Sequence, residues 1–101
     1  MLTEREKIIR EAVPVVELLA GLAEESAELI QAALKLRRVF DRTNPTPVTE
    51  DQAMESLYEE IADVMLYLSM IDLNWEYIDV IKTRKEIRWT TRLTEAKKAE
   101  K

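Results

Sequence analysis

Three prolines and a single glycine punctuate this chain of 101 residues, and their positions limit what it can become. Proline has no amide proton and collides with the turn before it, so it sits at the start of a helix or between helices. Pro14, Pro45 and Pro47 therefore leave two long stretches that nothing interrupts. Such a scarcity of Gly and Pro, with 35% charged and 47% hydrophobic residues, favours long helices over a β-rich fold. No alternating β pattern, internal repeat or low-complexity tract appears. The expected fold class is all-α, in one domain spanning 1–101.

Local signals place the helices. Thr3 with Glu6 fits a capping box opening a short helix over about 3–12. Pro14 interrupts, and a second helix runs to about Phe40 with Leu18, Leu22, Leu29, Ala33 and Leu36 as its apolar stripe. Leu19, Ile30 and Leu34 lie beside that stripe. The segment Asp41–Val48 is a loop, broken by two prolines and an Asn. Thr49 with Gln52 offers another capping box for a helix to about Ile71, with Met54, Leu57, Ile61, Val64, Leu68 and Ile71 on one side. A connector at 72–74 precedes a last helix over about 75–95, and residues 96–101 should fray. The two long helices joined by the Pro loop should pack antiparallel.

Composition excludes several chemistries. The chain has no Cys and no His, which removes the usual zinc sites, thiol nucleophiles, imidazole bases and disulfides. There is no phosphate-binding Gly-rich loop ending in Lys. A net charge of −5 argues against binding nucleic acid through overall charge. The first residues carry no apolar signal core, and no stretch approaches membrane-spanning length. A cytoplasmic protein with no membrane partner is the expectation.

The chemistry-bearing feature is acidic. Glu25 and Glu28 lie three apart on one helix, Glu60 and Asp63 three apart on the next, so each pair shares a face. At about 100° per residue, Glu25 falls inside the arc of Leu18, Leu22, Leu29 and Leu36, and Glu60 lies beside Leu57, Val64 and Ile71. A bare carboxylate facing a helix interface costs several kcal/mol or becomes protonated. Two readings follow. Either the four carboxylates share a hard divalent ion, Mg²⁺ or Mn²⁺, through oxygen ligands alone, or they line a wet acidic groove. Glu24 and Glu59 point further out. They either position water near the ion or are simply solvated.

These residues resemble a known signature. Glu24-Glu25-x-x-Glu28 followed by Glu60-x-x-Asp63, within Leu22–Leu34 and Tyr58–Tyr67, is similar to the two core helices of the MazG-like all-α nucleoside triphosphate pyrophosphohydrolases. The likeness spans roughly residues 15–92. It implies Glu25, Glu28, Glu60 and Asp63 as Mg²⁺ ligands, with Glu24 an acidic position close to the metal. It implies cleavage between the α- and β-phosphates of an NTP or dNTP, giving a monophosphate and pyrophosphate. It also implies assembly as dimers or tetramers. The stretch between Glu28 and Glu60 is long for that family, the Pro loop being the surplus. The pattern typical of its phosphoribosyl-ATP pyrophosphatase branch is not evident.

With neither His nor Cys, a carboxylate has to serve as base, and Glu24, Glu28 and Glu59 are the candidates beside Glu25. Phosphates also need cations. Lys82, Lys85, Trp89 and Arg92, spaced 3, 4 and 3, share a face of the last helix, with Arg84 and Arg88 toward one side. Lys82, Lys85, Arg88 and Arg92 are the candidate substrate-binding residues. The plainer reading is snorkelling surface cations with Trp89 as packing. Lys35, Arg37 and Arg38 suit a helix C-terminus.

Tyr58 and Met65 lie off the main stripe of the third helix, and Leu66 and Met70 face nearly away from it. A helix apolar on most sides is buried on most sides, which in so short a chain calls for a second copy. A homodimer or homotetramer with a four-helix core is expected. The rival from another class is a non-catalytic helical interaction module with an acidic groove. A di-iron bundle of the Glu-x-x-His type is disfavoured by the lack of His.

Overall fold

The computed structural model describes residues 2–43 and 47–100. Among the described residues it contains four α-helices and no strand: α1 Glu4–Ala12, α2 Val15–Phe40, α3 Glu50–Met70 and α4 Trp75–Ala99. Asn44, Pro45 and Thr46 of the Pro loop lie outside the described residues.

The helix boundaries follow from capping. The Thr3 hydroxyl accepts from the Glu6 amide at 3.1 Å, and Glu6 accepts in return from the Thr3 amide at 3.0 Å. Thr49 and Gln52 form the same reciprocal pair at the start of α3, at 3.1 and 3.0 Å. The Asn74 side chain caps α4 by accepting from the Tyr77 amide at 3.0 Å. Pro14 stands just before α2, where its missing amide costs nothing and its carbonyl accepts from Glu17 and Leu18. Beyond α2, Arg42 adopts a left-handed backbone (φ 62°), the position where a glycine usually ends a helix.

α2 and α3 pack on each other along their lengths, and α1 packs on α3. Their pairings run in opposite directions. Leu18 lies in one cluster with Met70, Gly21 abuts Tyr67, and Glu25 meets Asp63. The expected antiparallel pair is therefore present. Its best-packed end joins Leu18, Met70 and Ile71, covered by Ile9 and Val13 from around α1, with Leu22, Tyr67 and Leu73 alongside. Toward the loop end, Ala32, Leu36 and Ala53 are buried.

The face that α3 turns to α2 differs from the stripe expected from sequence. Ile61 is exposed, and Met54, Leu57, Val64 and Leu68 are only half-buried. Met70, which lies off that stripe and reads as a core or subunit-interface residue, is among the most buried side chains at 2% exposure. Ala53, Glu60, Tyr67 and Met70 line the contact. At about 100° per residue they lie on an arc adjoining the Ile61 side. The helix has two apolar faces, and a single partner helix covers one. On α2, Ala33 is likewise exposed while Ala32 is buried. Val16, Leu19, Ile30 and Leu34 form an exposed apolar stripe nearly opposite the core face.

α4 stands apart. Among the described residues it packs against none of the other helices and contains no buried residue. It continues to Ala99 rather than ending near 95, and Lys101 lies outside the described residues. Ala and Lys are strong helix formers, and Lys97 and Lys98 suit the negative end of the helix dipole. The projecting helix gives a radius of gyration of 18.2 Å, against about 13 Å for a compact domain of this length. Among the described residues no helix is long and apolar enough to cross a membrane.

Candidate metal centre

The α2–α3 seam carries the acidic residues into one place. Glu25 projects from the middle of α2 into the seam, one turn beyond Gly21. Glu60 and Asp63 project from successive turns of α3. One carboxylate oxygen from each of Glu25, Glu60 and Asp63 lies within 4.8 Å of the other two. Glu25 and Glu60 are half-buried and Asp63 is exposed, so the cluster sits at the rim of the seam with access to solvent.

Among the described residues no cationic side chain forms an ion pair with these carboxylates. The ion pair found among the described residues joins Arg10 to Asp72 at 3.3 Å, away from the cluster. Partial desolvation pushes the Glu25 carboxyl above its ordinary 4.5, helped by the negative charges of Asp63, Glu60 and Glu28 and by a hydrogen bond with Asp63. Glu60 is raised in the same way, by desolvation first and then by Glu28, Asp63 and Glu59. The neighbouring charges that raise these two groups all belong to carboxylates. Glu25 and Glu60 therefore take up protons more readily than free carboxyls do, and the cluster's uncompensated negative charge would favour a cation.

The donor set fits a hard divalent ion. All ligands are oxygens, and three oxygens around one ion at about 2.1–2.4 Å stand roughly 3 to 4.8 Å apart. The oxygens of Glu25, Glu60 and Asp63, within 4.8 Å of one another, do not exceed that spacing. Three of the four ligands expected from sequence are thus gathered. Glu28 is exposed and outside the tight cluster, yet close enough for its charge to act on both Glu25 and Glu60. Glu59 acts on Glu60 in the same manner. Glu24, also exposed, lies on the rim of an adjoining cavity.

That cavity was not anticipated from sequence. It measures about 330 Å³, has Val13, Leu18, Leu66 and Tyr67 among its apolar walls, and has Glu17 and Glu24 at its edge. Gly21 lines it too, and a Cβ at that position would overlap the Tyr67 ring. The available signal was the lone glycine inside a 26-residue helix. Glycine there costs about 1 kcal/mol relative to alanine, so close approach of a partner is the physical reason to keep it.

The candidate phosphate-binding residues are elsewhere. Lys82, Lys85, Arg88 and Arg92 are all exposed on α4. Lys85, Arg88 and Arg92 flank Trp89 around a shallow depression formed by α4 alone. Within one protomer, helix packing does not bring them to the carboxylates. Trp89 is 63% exposed, so it has no core role in the single chain. Lys35 is half-buried, and Arg37 and Arg38 are exposed in the last turn of α2.

Comparison with models of protein families, with curated proteins and with solved structures gives no match to this chain.

Proposed function

We propose that this protein is a divalent-cation-dependent nucleotide pyrophosphohydrolase, cleaving the α–β phosphoanhydride of an NTP or dNTP to a monophosphate and pyrophosphate. One observation carries the reading: carboxylates from two helices converge at a solvent-accessible seam with no cationic partner among the described residues. The likeness of Glu24–Glu28 and Glu60–Asp63 to the MazG-like signature supplies the reaction class.

In this reading Glu25, Glu60 and Asp63, with Glu28 beside them, hold Mg²⁺ or Mn²⁺. The bound ion supplies charge neutralisation at phosphate oxygens and acidifies a water. The carboxylates of Glu24 or Glu28 orient the attacking water and accept its proton. The water oxygen bonds to the α-phosphorus as the bond to the bridging oxygen breaks, and pyrophosphate leaves. The apolar cavity beside Glu24 offers a place for the base or sugar. Cations of α4 balance the departing pyrophosphate, which requires α4 to reach a site it does not touch in one protomer.

Assembly belongs to the same proposal. Val16, Leu19, Ile30 and Leu34 on α2, with Tyr58, Ile61 and Met65 on α3, leave apolar faces uncovered. Burial of such faces against a second copy would complete a four-helix core in a homodimer or a tetramer.

The test measures pyrophosphate release across NTPs and dNTPs with and without Mg²⁺, alongside thermal stability. An ion bound at 100 times its Kd raises stability by about 2.7 kcal/mol. Glu25→Gln and Asp63→Asn should both abolish turnover and this stabilisation while the chain stays helical. If Mg²⁺ changes neither release nor melting, the protein is an acidic interaction module and the enzymatic reading fails.

A further inference from the structure

Charge is unevenly divided along this chain. α4 holds seven of the 15 basic residues and four of the 20 acidic ones, so it is net +3 while the rest is net −8. The imbalance is sharpest in the middle of the helix, where Lys82, Arg84, Lys85, Arg88 and Arg92 stand against Glu86 alone. At about 100° per residue, Lys82, Lys85, Arg88 and Arg92 share an arc of about 120° that no acidic residue of α4 enters. Trp89 lies inside that arc and is 63% exposed. Lys85, Arg88 and Arg92 edge the shallow depression around it. Among the described residues none of these cations forms an ion pair, and α4 packs against no other helix.

An unpaired cationic face attracts a polyanion. Salt screens exposed charges beyond about 8–10 Å, so a polyanion lying along α4 meets chiefly the charges of α4 and not the chain's negative total. Trp89 then narrows the choice of polyanion. A base stacks on an open indole face while neighbouring cations hold the phosphates on either side. Bases of a duplex are already stacked on one another, so unpaired nucleotides make best use of the ring. A lipid surface asks for something different, a single apolar face to sink among the headgroups. On α4 the exposed Val80 and Ile87 lie nearly opposite Trp89, so the apolar side chains are not gathered on one side.

We propose that the Lys82–Arg92 face of α4 binds single-stranded nucleic acid, with a base stacked on Trp89 and the backbone held by Lys82, Lys85, Arg88 and Arg92. Stacking and phosphate contact are common to RNA and DNA, so both strands are taken. The inference goes beyond the pyrophosphohydrolase reading and needs neither a metal ion nor the carboxylate seam.

The test uses the full chain in the presence of a chelator, which keeps any metal-bridged phosphate out of the measurement. Trp75→Phe leaves Trp89 as the only tryptophan. Oligouridine and oligothymidine should each quench its emission, and log affinity should fall against log salt with a slope of about −3, four cations at about 0.7 each. Trp89→Ala should weaken binding of a labelled strand about 10-fold, with Trp89→Phe restoring most of the loss. Lys85→Ala combined with Arg92→Ala should reduce the slope by about 1.4, with helicity unchanged in circular dichroism. Binding of only one of the two strands keeps the site and adds a sugar preference. No binding, a slope untouched by the cation changes, or tighter binding to a duplex or to phosphatidylserine vesicles overturns the inference. Glu25→Gln, inactive under the function proposed above, should bind both strands as the wild type does, so the two proposals fail separately.

Discussion

α2 and α4 are helices of nearly equal length, 26 and 25 residues, and both begin where local signals say they should. Their surroundings are opposite. α2 buries Leu18, Gly21, Ala32 and Leu36 against α3, whereas α4 buries nothing in the single chain. Caps and propensity are enough to write a helix into a sequence, but tertiary stability comes from what its apolar face covers. The α2–α3 pair is held by its own chain. α4 carries Trp89, Ile87 and Leu93 in solvent, and its stability is tied to whatever it meets.

The sharpest way to break that contrast is to cut one large side chain on each side. Met70→Ala removes a fully enclosed side chain and should cost about 3 kcal/mol in chemical denaturation. Trp89→Ala should change the stability of the dilute chain by less than about 0.5 kcal/mol, as expected for an exposed site. Equal losses at both positions would mean that α4 is packed in the single chain after all.

A smaller effect probes the α2–α3 contact at its tightest point. Gly21→Ala should destabilise by about 1–2 kcal/mol, because the new methyl displaces the Tyr67 ring. In a Tyr67→Ala background the same change should instead stabilise by about 0.5–1 kcal/mol, the ordinary helical preference for Ala over Gly. A reversal of sign in the thermal melts isolates the contact from propensity.

The smallest effect is in pH. Glu25 and Glu60 have folded pKa values raised above 4.5, so the metal-free folded state binds more protons than the unfolded chain in the window just above that value. Their contribution to stability is therefore largest below 4.5 and is lost as pH rises through the elevated values. Melting of the cation-free protein should improve on moving from neutral pH toward 5. Excess Mg²⁺ should remove that gain, because the ion competes with protons for the same oxygens. Glu25→Gln should flatten the dependence without any metal present.

Much of the fold was legible in the sequence because its signals are local. Thr3, Thr49 and the prolines mark boundaries through hydrogen bonds and sterics that span a few residues, and those boundaries hold to within a residue or so at most ends. The candidate site was legible for a related reason. Three-residue spacing places Glu25 with Glu28 and Glu60 with Asp63 on shared faces wherever the helices go, and a carboxylate among leucines is conspicuous. Its pairing across the seam could be expected from antiparallel packing, although the tight cluster holds Glu25, Glu60 and Asp63 with Glu28 to one side.

Less legible was the rotation of α3. Its apolar residues cover two adjoining arcs, and periodicity cannot say which arc meets α2. Ile61 was thus read as part of the core stripe and is exposed, while Met70, off that stripe, is buried. The cavity beside Glu24 escaped notice because α1, α2 and α3 all contribute to it. The length of α4 was underestimated because its last turn has no breaker, only helix-forming Ala and Lys.

The sequence by itself determined an all-helical chain, the ends of its helices and the faces that carry acid, because capping, proline sterics and helical period act within a few residues. Only the tertiary structure decided which face of α3 meets α2, that Gly21 makes room for Tyr67, and that α4 packs against none of the other helices among the described residues. Those outcomes depend on how extended surfaces compete for one partner, and no short-range signal encodes that competition.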